Sequence, residues 1–209
     1  MIPDLNTMVL NILAFWAEAT ADERRDGASW YAAAREAAEN IAARTGLALE
    51  TVVAVIAVLS PQQEWNANIA WAAEVCEAWV RDEPLPRRGL GNSLVRAERA
   101  LRGDTGDVLR TKGSLKVYNF YWSILAAPGA VCVDRHALRV AMGSPSATPP
   151  GLTDARYALV ADAYREAARE LRTGVRHVQA VTWIVVKRAR EAHGDYANLP
   201  SWWSMPVSA

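Results

Sequence analysis

Apolar residues recur along most of the chain at three- and four-residue intervals, the period of helices that bury one face. Val9, Leu10, Leu13 and Trp16 make a first stripe, with Asn6 or Thr7 ahead of it as a cap. Ala19 to Asp26 is polar, and a second helix is predicted from Ser29 to Arg44, with Trp30, Ala33, Ala34, Ala37 and Ile41 inward and Gly46 as its stop. Glu50 to Leu59 is apolar nearly all round, the mark of a buried central helix, and Ser60-Pro61 ends it because proline disfavours helix in the residue before it. Gln62-Gln63-Glu64-Trp65-Asn66 follows. Ile69, Ala72, Ala73, Cys76 and Trp79 then predict another amphipathic helix.

Pro84 and Pro86 bracket a linker, and Asn92 or Ser93 caps a basic helix to Leu101. Gly103 to Gly106 reads as a turn, Asp107 to Arg110 as a short helical turn, and Gly113 as a break. Ser114 caps a helix that carries Lys116 and runs to about Ala127. Pro128-Gly129 turns the chain, and Asp134 stands at the N-cap of a helix that stops at Gly143. After a Pro/Ser loop, Thr153 or Asp154 caps a long helix to Arg172, and Val175 to His193 is the last one. The tail from Tyr196 carries Trp202 and Trp203.

Composition sharpens this pattern. Alanine is abundant and β-branched runs are few, so the expected fold class is all-α. Lys and Arg total 23 against 23 Asp and Glu, so net charge singles out no partner. Its distribution does more: eight basic residues between Pro84 and Lys116 face three acidic ones, a local excess suited to phosphate or to a solvated helix face. Two cysteines, Cys76 and Cys132, are too few for a four-cysteine iron–sulfur cluster or zinc ribbon and read as small core residues. The start lacks a basic n-region and a small-residue cleavage site. No uninterrupted apolar run approaches the roughly 18 residues of a membrane span. The expectation is a cytoplasmic, monomeric protein with no membrane, metal or cofactor requirement.

The candidate chemistry lies between Lys116 and Val140. Asp134 by position is a helix N-cap, which alone is worth about 1 kcal/mol. Lys116 in a first helical turn opposes the helix dipole, which hints at a use for its amine. His136 by itself reads as a structural histidine. In combination these residues resemble the helix-hairpin-helix DNA glycosylase superfamily. Three segments carry the resemblance in the family's order. Val53 to Gln62, with its Leu59-Ser60-Pro61-Gln62 ending, is similar to the buried helix and base-probing loop. Gly113-Ser114-Leu115-Lys116 is similar to the hairpin and its lysine. Val133-Asp134-Arg135-His136-Ala137-Leu138-Arg139-Val140 is similar to the segment bearing the essential aspartate. The interval from Lys116 to Asp134 also matches the family's. The stretch departs from the pattern at the hairpin, where Arg110-Thr111-Lys112-Gly113-Ser114-Leu115 replaces a glycine-richer sequence, and in Gln179 to Trp183, which lies outside the pattern.

The resemblance implies one domain over 1–209 with two helical lobes and a cleft between them. The 50–143 stretch carries the motifs, and the remaining N- and C-terminal helices form the other lobe. It implies DNA as partner, with Asp134 and Lys116 catalytic and Arg110, Lys112, Gly113 and Ser114 on phosphate. Gln62 and Gln63 fill the gap left by a flipped base, Trp65 or Tyr118 stacks on it, and His136 adjoins the base site. The implied reaction is cleavage of the N-glycosidic bond of a damaged or modified base, with lyase activity if Lys116 forms a Schiff base. Two further readings follow from the departures: a viral-type transferase that adds an amine or amino acid to activated hydroxymethyl-uracil in DNA, in the host cytoplasm, and a non-catalytic DNA-binding module of the same fold.

Overall fold

The computed structural model describes residues 2–88, 91–110 and 115–192. Among the described residues the chain is all-α, with ten helices and no strand: α1 (Leu5–Glu18), α2 (Ala21–Thr45), α3 (Leu49–Leu59), α4 (Trp65–Val80), α5 (Gly91–Leu101), α6 (Thr105–Leu109), α7 (Leu115–Ile124), α8 (Arg135–Ala141), α9 (Asp154–Glu170) and α10 (Val175–Ala192). No single helix among them is long and apolar enough to cross a membrane. The helices group into two compact units. The first holds residues up to Ala32 together with those from Ala126 through α10, and the second runs from Ala33 to Leu125. Ala126 falls inside the 50–143 stretch, so the Asp134 segment belongs to the first unit and the Lys116 segment to the second.

In the first unit α1 packs against α8, α9 and α10, which also pack on one another. Its cap is Asp4, whose carboxylate accepts the Thr7 N–H at 2.9 Å, so the cap lies two residues ahead of the expected Asn6. The buried stripe is Met8, Val9, Ile12 and Phe15, while Leu10 is 66% exposed. Helix α2 starts well before the expected Ser29 because Thr20 and Glu23 form a reciprocal capping box. Thr20 Oγ1 accepts the Glu23 N–H at 3.2 Å, and Glu23 Oε2 accepts the Thr20 N–H at 2.8 Å. The polar stretch after Ala19 is therefore the exposed first turns of a helix. The inward stripe of α2 is Gly27, Tyr31, Ala34, Ala38 and Ile41, one position round from the expected Trp30 and Ala33. Gly27 faces Val181 of α10 so closely that a Cβ there would meet the Val181 backbone nitrogen at 2.8 Å and Cα at 2.9 Å.

The second unit is built on α3, which contacts α4, α5, α6 and α7. Every residue from Val52 to Leu59 is buried, as expected of a helix apolar on all sides. In α4 the buried face is Asn68, Trp71, Ala72, Val75, Cys76 and Ala78; Ile69 and Trp79 lie at its margin. The Trp71 indole donates to the Pro86 carbonyl at 2.9 Å and so ties the linker to α4. Helix α7 ends at Ile124, short of the expected Ala127.

Candidate functional site

Asp134 is placed from both sides in the first unit. Ahead of it, residues 130–133 are buried and lie in neither helix nor strand, so no regular ladder satisfies their backbone groups. The Tyr157 hydroxyl of α9 does so instead, donating to the Val131 carbonyl at 2.6 Å and accepting the Val133 N–H at 3.1 Å. Behind it, Asp134 caps α8, with Oδ1 accepting the Ala137 N–H at 2.8 Å. The structural use expected of an N-cap is thus met by one oxygen alone. Oδ2 accepts the indole N–H of Trp183 at 3.1 Å. Two donors from different directions fix the carboxylate plane, while the residue keeps a half-exposed edge.

Trp183 organises the surroundings of that edge. The His136 ring meets it edge-on, with centroids 5.5 Å apart, and Lys187 Nζ lies over it at 5.6 Å. The Lys187 side chain is only 12% exposed and pairs with Glu191 at 3.6 Å. Thr182, the residue before Trp183, and Gln179, one turn back along α10, are buried polar groups. Thr182 Oγ1 donates to the Val178 carbonyl at 2.9 Å and meets the Tyr164 hydroxyl at 3.1 Å. Gln179 Oε1 accepts the Tyr31 hydroxyl at 2.8 Å. Burial pushes the Tyr164 hydroxyl far above the usual tyrosine range. The Thr182 bond works against that rise and the negative charge of Asp134 adds to it. Tyr164 is therefore a neutral hydrogen-bonding group at any ordinary pH.

Asp134 and His136 thus come together with Trp183, a residue the sequence marked only as outside the glycosylase-like pattern. The 49-residue separation hides the contact, and the sole sequence signal is the placing of Gln179, Thr182 and Trp183 within the Val178–Val186 stretch, whose other residues are apolar.

The other expected site residues lie in the second unit. Lys116 is half-buried in the first turn of α7. Tyr118, also on α7, meets Trp122 edge-on at 6.2 Å, and Trp65 opens α4 with its ring edge-on to Phe120 at 6.4 Å. Gln63 is half-buried and Gln62 exposed. The Ser60–Gln63 turn closes with a 3.2 Å bond from the Gln63 N–H to the Ser60 carbonyl. Gln62 has φ 61°, the left-handed conformation that glycine would favour at the third position of such a turn. A polar side chain is thus held out of the loop after α3 at some conformational cost.

Just beyond it, Glu64 caps α4 through Oε2 and the Ala67 N–H at 3.1 Å, and Asn68 donates to the Ile56 carbonyl at 3.2 Å. Glu64 Oε1 and Asn68 Oδ1 remain as buried acceptors with no hydrogen-bond partner among the described residues.

Much of the basic track is internally neutralised. Arg88 pairs with Glu74 at 2.7 Å, Arg102 with Glu98 at 2.7 Å and Arg99 with Asp104 at 3.5 Å. Arg96 donates to the Val108 carbonyl at 2.8 Å, and burial lowers its guanidinium below the usual arginine range. Arg110 is exposed at the C-cap of α6, and Lys112, Gly113 and Ser114 lie outside the described residues. Both cysteines are buried and neither is in a disulfide, and no cluster of three or more His, Cys, Asp or Glu among the described residues could hold a metal ion.

The chain belongs to the family described as "family of unknown function (DUF7178)", whose model matches residues 3–191. No curated protein and no solved structure matches it.

Proposed function

We propose that this family member is a DNA base-processing enzyme of helix-hairpin-helix glycosylase type, with Asp134 at its catalytic centre. The observation that carries the reading is the Asp134 carboxylate, fixed by the Ala137 and Trp183 N–H groups yet left partly open. Excision of a base breaks the bond between C1′ and the base nitrogen, and the electron pair leaves with the base. Positive charge then develops on the sugar until water adds at C1′. A carboxylate held in one orientation stabilises that charge without reorganising during the reaction. Gln62, displayed on a strained turn, suits a group that enters the duplex when the base leaves. The role of Lys116 as amine nucleophile is part of the same proposal.

The contact between Trp183 and Asp134 favours a second reading, transfer of an amine or amino acid to an activated hydroxymethyl-uracil. It brings the segment outside the glycosylase-like pattern directly to the proposed catalytic carboxylate.

One experiment covers both readings. Duplexes carrying a panel of modified bases, hydroxymethyl-uracil included, are incubated with the protein, with and without amino acids. Nucleosides and free bases are then read by mass spectrometry. Free base supports excision, a mass increment on the nucleoside supports transfer, and neither product on any substrate refutes the proposal. Asp134→Asn keeps a capping oxygen for α8 and is expected to retain the fold while abolishing product; full activity in that variant removes Asp134 from the site.

A further inference from the structure

Lys187 brings a second charge to the Asp134 site. It stands one turn after Trp183 on α10, with Nζ over the face of the indole, 5.6 Å from the ring centre. The indole N–H lies in the ring plane and is given to Asp134 Oδ2 at 3.1 Å. One ring therefore carries a carboxylate at its edge and an ammonium over its face. Among the described residues these two charges form no ion pair with each other, so neither cancels the other.

A lysine that only solvated this face of α10 would carry its head into water on a long stem. The Lys187 side chain is instead 12% exposed. Its partner Glu191 is 48% exposed, and their 3.6 Å contact is longer than a hydrogen bond, so the pair is weak and screened by solvent. The three N–H donors of the ammonium are not spent on it. The fold fixes the position of the cation all the same. It rests on an indole that is itself held by Asp134 and by the His136 ring.

Breaking a glycosidic bond separates charge. The C1′–N bond opens heterolytically, and its electron pair passes to the base and spreads onto the base's carbonyl oxygens. The sugar becomes cationic, and Asp134 answers that side. The other side calls for a positive group with N–H donors, which is what Lys187 offers. Water then adds at C1′, and the proton it loses ends on the departed base, so the step balances without a further reactant.

We infer that Lys187 is the catalytic group that stabilises the leaving base as an anion, and that it thereby selects oxo-pyrimidines as substrates. The inference rests on the excision reading proposed above. An ammonium favours a base that departs with negative charge on its carbonyl oxygens. It repels a base already made cationic by alkylation, which departs neutral and gains nothing from Lys187.

The test measures single-turnover release of free base by the full chain. The duplexes carry fluorouracil, uracil or thymine, whose anions are progressively less stable, or a guanine made cationic by methylation of a ring nitrogen. Lys187→Met keeps the packed stem and removes the charge, Lys187→Arg keeps the charge, and Glu191→Gln removes only the ion pair. Circular dichroism melts verify that each variant is folded. Lys187→Met is expected to slow release of the poorest leaving pyrimidine roughly a hundredfold, and of fluorouracil less than about tenfold. Lys187→Arg is expected to recover most of that loss, and Glu191→Gln to leave the series unchanged. A purely structural role for Lys187 would lower all the rates by one factor.

That uniform loss, no loss, a loss that Lys187→Arg does not recover, or preferred release of the methylated guanine overturns the role of Lys187 and leaves excision standing. No free base from any duplex with the parent chain refutes excision, and this role with it.

Discussion

Gly27→Ala sets two effects of opposite sign against each other. An alanine inside a helix is favoured over glycine by about 0.8–1.0 kcal/mol, so propensity alone makes the variant more stable. The added Cβ, however, would sit 2.8 Å from the Val181 backbone nitrogen and 2.9 Å from its Cα, as well as against its Cγ2. A rotamer change at Val181 moves only the last of these, so α2 or α10 must shift. Overpacking of this kind costs about 1–3 kcal/mol, and the backbone contacts place this case at the upper end. The expected net effect is a loss of about 2 kcal/mol, or about 4–8 °C in melting temperature for a chain of this length.

Gly106→Ala is the matched control. Gly106 lies in α6 with nothing within 4 Å of a would-be Cβ, so the same substitution should stabilise by up to about 1 kcal/mol. Urea unfolding of the two variants beside the parent measures both. Stabilisation of both by similar amounts would refute the close approach of α2 to α10. Because Val181 lies two residues before Trp183, the shift forced by Gly27→Ala should also lower the activity that depends on Asp134.

Three further outcomes follow from contacts described above. Tyr157→Phe leaves the buried Val133 N–H and Val131 carbonyl without the shared hydroxyl, and a loss of about 2–4 kcal/mol in urea unfolding is expected, against near neutrality if water replaces it. Gln62→Gly relieves the left-handed φ of 61° and should stabilise by about 0.5–1 kcal/mol while lowering any base-processing activity; an unchanged melting curve would mean that the turn is not strained.

Burial pushes the Cys76 thiol up to about 12 and Tyr164 higher still, so both stay protonated in the folded chain at pH values where the unfolded chain loses those protons. Stability from these groups is complete below about pH 9 and falls as pH rises, by about 1.4 kcal/mol per pH unit for each group in its window. Cys76→Ala should flatten the portion beginning near pH 9, and a pH-independent melting temperature from 8 to 11 would contradict the burial.

The fold class and the central helix were legible in the sequence because α3 offers no polar face between Val52 and Leu59 and so admits only burial. Asp134 was legible as a cap for a local reason, since the Ala137 N–H lies three residues away. The phases of α1 and α2 were not. Alanines and large apolar groups lie on several sides of both helices, so one residue of rotation changes little in the pattern but exchanges Trp30 for Tyr31 and exposes Leu10. The capping box at Thr20 and Glu23 was present in the sequence and masked by the polar residues around it. Trp183 was out of reach because its partner is fixed only when α8 and α10 pack. The ion pairs that neutralise the basic stretch depend in part on such distant contacts, as with Glu74 and Arg88.

The division of the chain also bears on synthesis. Residues 33–125 are contiguous, so all of α3 to α7 has been translated before the segment after Ala126 exists. The first unit is split, and α1 must wait for α8, α9 and α10 to be made before its stripe of Met8, Val9, Ile12 and Phe15 has anything to pack against. At about 5–20 residues per second, that wait lasts on the order of 10–35 seconds on the ribosome. Throughout it α1 stands uncovered on the nascent chain, a ready substrate for a chaperone that captures short amphipathic segments.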